Sequence, residues 1–153
     1  VLENGSYLRL NIIQTDDMAD KVFRLLLNST YEESEKVPDF TSDIQKKSNL
    51  TDETTGNLML LLSEAVTNAI VHGNKLDASK QVIAEVQIEP DKVISTVKDN
   101  GEGFDPAVTK DPLAEENLLK EGGRGVFLIH ELADSVEYLE NGTKIRFVIK
   151  REG

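Results

Sequence analysis

Glu64, Asn68 and His72 stand four residues apart in the stretch "SEAVTNAIVHGN", residues 63–74. They continue an apolar run, Leu58-Met59-Leu60-Leu61-Leu62, that reads as a core helix. At this spacing the three side chains share one polar stripe on an otherwise apolar helix. Burying a carboxylate is costly unless it is paired or used, so the stripe faces either water or a ligand. Two glycine-rich stretches accompany it. In "DNGEGF", Asp99 to Phe104, Gly101 and Gly103 follow an Asp and let the backbone come close to a flat or charged ligand. In "EGGRGVFLI", Glu121 to Ile129, Gly122, Gly123 and Gly125 precede a helix and can turn several N–H groups toward an anion. Arg124, among them, could add a charge to a phosphate.

Common nucleotide and cation loops fail on spacing. A Walker A loop is absent. A dinucleotide fingerprint needs a third Gly where Pro106 stands. A calcium loop begun at Asp99 needs Gly at Phe104 and Glu at Lys110.

The elements that must position these stretches can be read from periodicity. "YLRLNII" (7–13) alternates as a strand. "DDMADKVFRLLLNS" (16–29) reads as a helix capped by Asp16, with Met18, Val22, Leu25, Leu26 and Leu27 inward. Residues 31–49 are polar, carry Pro38, and read as a surface connection with at most a helical turn. A long helix spans 50–74, capped at Thr51 or Asp52 and ending near Gly73-Asn74. The period then becomes two: 81–89 and 92–99 form a hairpin about Pro90-Asp91, with Val82, Ala84, Val86 and Ile88 on one face. Residues 100–123 read as a loop with a helical piece near 113–120, and 123–134 as a helix. "SVEYLE" and "TKIRFVIKR" form a second hairpin at Asn141-Gly142. The sum is an α+β two-layer sandwich, one mixed and mainly antiparallel sheet with helices on one face.

Bulk properties narrow the function. The 153 residues fit one domain, 1–153, with a sizeable core. A net charge of −11 argues against general nucleic-acid binding, which needs a basic surface. No apolar run approaches the roughly 18 residues of a membrane span. The segment "VLENGSYLRL" lacks the basic and apolar regions of a signal peptide. Zero Cys excludes disulfides and thiolate metal sites, and the cytoplasm is the expected compartment.

Taken together, "EAVTNAIVHG", "DNGEGF", "GGRGVFLI" and "NGT" resemble, in order and separation, the N, G1 and G2 boxes and terminal Gly-Thr of the Bergerat-fold (GHKL) ATPases. The short chain and the form of the first box most resemble the bacterial anti-sigma-factor serine kinases. The resemblance implies ATP and Mg²⁺ as ligands, with Asn68 as the protein ligand to Mg²⁺ and Glu64 as general base. It implies that Asp99 accepts a hydrogen bond from the adenine amino group, that Gly101 and Gly103 lie near the base, and that Thr143 supports Asp99 through a hydroxyl or a water. His72 closes the first box on the nucleotide side; its ring is expected to pack at the helix end rather than to catalyse. Residues of about 104–123 would form the ATP lid, and Gly123, Arg124 and Gly125 would contact phosphates. The implied partners are a sigma factor and an anti-sigma-factor antagonist phosphorylated on Ser, with a homodimer formed outside the ATP pocket.

Two other function classes compete with the kinase: a binding module without significant transfer activity, and a catalytic fragment of a histidine kinase. An intact Glu64 favours the kinase over the first. The second is disfavoured because "His130-Glu131-Leu132" lacks the basic residue, Thr and Pro of a phosphoacceptor box. Two features depart from the family pattern: the long polar connection at 31–49, and Arg124 between two glycines.

Overall fold

The computed structural model describes residues 13–14, 21–103 and 123–151. In chain order these are β1 (Ile13–Gln14), β2 (Lys21–Asn28), a 3-10 turn (Tyr31–Lys36), α1 (Val37–Ser48), α2 (Asp52–Asn68) and its wider continuation (Ala69–Gly73). β3 (Gln81–Ile88) and β4 (Lys92–Lys98) follow. α3 (Gly123–Leu132), β5 (Ser135–Leu139), a 3-10 turn (Glu140–Gly142) and β6 (Lys144–Lys150) complete the set. The six strands form one sheet in the order β1-β2-β3-β4-β6-β5, and every pairing among the described residues is antiparallel. The helices cover one face. This is the two-layer α+β arrangement expected, and it is consistent with a Bergerat-like ATPase fold.

The core lies between that sheet face and the helices. Val82, Ala84 and Val86 of β3, Val93 and Val97 of β4, and Phe147 and Ile149 of β6 meet Leu58, Leu61, Leu62 and Val66 of α2. Each fully buried Leu or Phe contributes about 1.5–3 kcal/mol relative to exposure. The two expected hairpins are present, and the second turns through left-handed Glu140, Asn141 and Gly142.

Two expectations are corrected. Residues 21–28 of the expected helix 16–29 are strand β2 instead. Its burial alternates: Phe23, Leu25 and Leu27 face the core opposite Val86, Ala84 and Val82, while Leu26 is 47% exposed on the other face. The near-continuous apolar run "VFRLLL" satisfies a helical stripe as well as a strand, and pairing with β3 decides between them. The Asp16 cap and Met18 lie outside the described residues. The supposed connection at 31–49 is mostly helix. Pro38 sits in the first turn of α1, where its missing N–H costs nothing, and Val37, Phe40, Thr41 and Ile44 are buried. Left-handed Asn49 ends it, its N–H donating to Gln45 O at 2.8 Å. Of the expected strand 7–13, only Ile13 lies within the described residues. Residues 104–122, which hold most of the expected lid and its helical piece, lie outside them.

Among the described residues, no helix is long and apolar enough to cross a membrane.

Candidate functional site

α2 begins at a Thr51 cap, whose hydroxyl accepts the Thr54 N–H at 3.1 Å. Leu58, Leu61, Leu62, Ala65 and Val66 turn into the core. That choice of face leaves Glu64 and Asn68 half-buried at the margin of the apolar stripe. Among the described residues, neither side chain has a hydrogen-bond partner. After Asn68 the helix widens into a π turn, and the Asn74 N–H donates to Ala69 O, five residues back, at 2.8 Å. His72 is exposed on this turn, so its ring does not pack as expected. Lys75 and Leu76 then take left-handed conformations, φ 54° and 61°, and reverse the chain.

The widened turn brings Gly73 against the exit of β4. Asp99 is buried there, and its N–H donates to Thr143 O at 2.8 Å. Its Oδ1 accepts the Gly101 N–H at 2.7 Å, while Oδ2 lies against Gly73. Burial pushes the Asp99 carboxyl above the usual carboxylate range. The Gly101 hydrogen bond and the charges of Lys98 and Lys80 oppose that rise. A Cβ on Gly73 would collide with the Asp99 carboxylate, and one on Gly101 would collide with the Gly73 carbonyl. Gly103, at φ 76°, packs on the Asn141 carbonyl and the Thr143 methyl. The bare glycine surfaces thus allow three backbone segments to close around one carboxylate.

Thr143 supports this cluster through its backbone carbonyl. Its hydroxyl donates to Glu140 O at 2.8 Å and accepts from Lys98 Nζ at 3.4 Å. Lys98 also pairs with Glu140 at 2.6 Å, tying the end of β4 to the β5–β6 turn.

Of the residues named from sequence, Asp99, Gly101, Gly103 and Thr143 converge at the C-terminal end of α2. Asn68 and Glu64 lie upstream on the helix that ends there. Glu64 precedes Gly73 by nine residues, on the order of 13 Å along the axis. Gly123, Arg124 and Gly125 form the first turn of α3, which packs against α2. The Arg124 side chain lies outside the description.

Sequence reasoning missed Asn74, taken only as a helix stop. It is 1% exposed. Its Nδ2 donates to Ser29 Oγ at 2.9 Å and to Gln81 O at 3.1 Å, and its Oδ1 accepts the Asn100 N–H at 2.7 Å. The available signal was an Asn directly after the helix-ending Gly, a residue able to bond neighbouring backbone through both ends of its amide.

The family model of the histidine kinase-like ATPase domain matches residues 27–149. The anti-sigma F factor of Clostridium perfringens (strain 13 / Type A) is 37% identical over 94 residues, covering 60% of this chain and 67% of that protein. The serine-protein kinase RsbW of Staphylococcus epidermidis is 38% identical over 103 residues, covering 61% and 65%. RsbW of Listeria monocytogenes (serovar 1/2a) is 30% identical over 111 residues, covering 68% and 71%. The chain thus spans about two thirds of the length of these relatives.

Proposed function

Because the chain belongs to the histidine kinase-like ATPase family, we propose that it is an ATP-dependent protein-serine kinase that also acts as an anti-sigma factor. In this reading residues 1–153 work as one ATPase domain, with a lid at about 104–123. It phosphorylates an anti-sigma-factor antagonist on Ser and sequesters a sigma factor. Its similarity to an anti-sigma F factor and to the serine-protein kinases RsbW supports the anti-sigma and kinase parts.

The observation that carries the nucleotide part is the buried Asp99 carboxylate, wedged between Gly73 and Gly101. When ionised it is an acceptor only, suited to an exocyclic amine and unsuited to a carbonyl at the same place. Adenine offers the amine and guanine the carbonyl. One oxygen is already bonded to Gly101, and burial makes the charged form costly. An amine donor would offset that cost, so binding adenine stabilises the ionised form. Gly103 leaves room beside the base, and Thr143 anchors the Asp99 backbone.

Mg²⁺ fits the chemistry of the stripe. A half-buried amide oxygen, that of Asn68, suits a hard cation that keeps most of its water and is held largely by phosphates. When bound, Mg²⁺ would neutralise phosphate charge. Glu64, one turn earlier, accepts the proton of the incoming serine hydroxyl. Gly123 and Gly125 offer backbone N–H groups at the start of α3, and Arg124 adds charge for the phosphates. His72, exposed on the π turn, is assigned to the nucleotide side of the site. A homodimer formed outside this site, in the cytoplasm, completes the proposal.

The test is transfer of label from γ-labelled ATP, with Mg²⁺, to candidate antagonist proteins carrying a serine acceptor. Label on serine is the expected result. Binding of ATP and a sigma factor without transfer to any antagonist would leave a sequestering module and remove the kinase.

A further inference from the structure

We infer that Asn74 is the positioning residue that sets base selectivity, by holding the Asp99–Gly101 turn in register with the end of α2. This deepens the proposed function and rests on its reading of Asp99 as the base contact.

Four chain segments meet at the Asn74 amide. Ser29, at the end of β2, accepts from Nδ2 and is itself fully buried. The Ser29 hydroxyl in turn donates a hydrogen bond to Lys80 O at 2.7 Å. Gln81 O, at the start of β3, accepts the second hydrogen bond from Nδ2. Oδ1 receives the Asn100 N–H, the peptide directly after Asp99. Both amide protons and one lone pair of Oδ1 are therefore used internally, and the last of these bonds fixes the residue between Asp99 and Gly101.

The backbone around Asn74 is over-determined in the same direction. The π turn delivers it, through the Asn74 N–H on Ala69 O. Lys75 and Leu76 occupy left-handed conformations, which side-chain-bearing residues adopt at a cost, with the Leu76 N–H held by Ile70 O at 2.8 Å. A chain forced into this path drives the Asn74 side chain inward. Strain that persists because the surroundings hold it is common where geometry must be fixed in advance of a ligand.

The consequence is specific. The Asp99 backbone is held by two contacts, Thr143 O on its own N–H and Asn74 Oδ1 on the next, while the Gly101 N–H holds its carboxylate. Losing the second frees the turn to tilt. A tilted carboxylate loses the adenine amine and no longer opposes a guanine carbonyl. The ratio of ATP to GTP affinity then falls, a change that general destabilisation of a still-folded chain does not produce.

The experiment measures dissociation constants for Mg-ATP and Mg-GTP by calorimetry, on the whole chain and its variants, below their melting temperatures. Asn74→Ala removes all three bonds. Asn74→Leu keeps the volume and the branch at Cγ while removing every polar atom. Both should lower the ATP-over-GTP ratio by about tenfold, the scale of a hydrogen bond to a charged group. A ratio within twofold of wild type in either folded variant overturns the inference. If neither folds, Ser29→Ala decides, since it loosens the amide while leaving the Asn100 bond. A drop of about threefold supports the inference and an unchanged ratio overturns it. A wild-type chain with no preference for ATP would instead remove the underlying reading of Asp99.

Discussion

At the C-terminal end of α2, Gly73 and Gly101 are packed against Asp99 and each other to the point where neither has room for a Cβ, and the side-chain amide of Asn74 makes three hydrogen bonds. Two and a half turns earlier on the same helix, Glu64 stands half-buried, and among the described residues neither it nor Asn68 has a side-chain partner. Under the proposed function, the contrast separates recognition from transfer. The base end is shaped before any ligand arrives and carries the cost of a buried carboxylate. At the proposed transfer end the polar side chains have no partner among the described residues, which suits groups that engage a ligand. Substitutions at the two ends should therefore differ in kind, and because the ends lie on the order of 13 Å apart their effects should add.

The largest expected effect is at the transfer end. Glu64→Gln should lower phosphotransfer by on the order of 10²–10⁴-fold, with nucleotide affinity and melting temperature near wild type. The loss should sit in kcat and not in Kd. Asn68→Ala should likewise abolish transfer while leaving the circular dichroism spectrum unchanged. An affinity loss in Glu64→Gln as large as its rate loss would erase the contrast.

At the base end, Asp99→Asn should weaken adenine nucleotide binding by about 1.5–3 kcal/mol. Its effect on the ligand-free chain should have the opposite sign. The folded-state pKa of Asp99 lies above its unfolded value. Folding is therefore penalised by ionised Asp99 above the folded pKa, and the penalty disappears as pH falls below the unfolded value of about 3.9. Asp99→Asn should thus melt higher than wild type at neutral pH, with the difference vanishing in acid. Thermal melts across pH check this; a variant less stable than wild type at neutral pH would mean the carboxylate holds the apo fold together.

Gly101→Ala sharpens the contrast further. Its methyl would land on the Gly73 carbonyl, so it should destabilise by about 1–3 kcal/mol and weaken ATP binding as well. Chemical denaturation and calorimetry on one preparation test both. The smallest effect belongs to Thr51→Ala, at the far end of α2. Loss of the cap should cost about 1 kcal/mol, with ATP affinity unchanged.

Much of this was legible in the chain. The hairpins follow from strict alternation and strong turn residues, and α2 from its cap and apolar stripe. The polar stripe was visible because Glu64, Asn68 and His72 make a run of three polar residues at four-residue spacing, where other polar pairs on that helix, such as Ser63 and Thr67, stop at two. β2 was not legible, because "VFRLLL" suits either period until β3 is placed beside it. α1 was hidden by its polar composition: four buried side chains, Val37, Phe40, Thr41 and Ile44, suffice to dock it. Asn74 escaped because its role depends on Ser29, Gln81 and Asn100, residues from three distant segments that only the folded chain brings together.

The central claim is that the Asp99 end reads adenine, and calorimetric titration of the wild-type chain with Mg-ATP and Mg-GTP tests it most directly. The account predicts binding of ATP at least tenfold tighter, on the scale of one hydrogen bond to a charged group, and loss of that margin in Asp99→Asn. Equal affinity for the two nucleotides in the wild-type chain would contradict it.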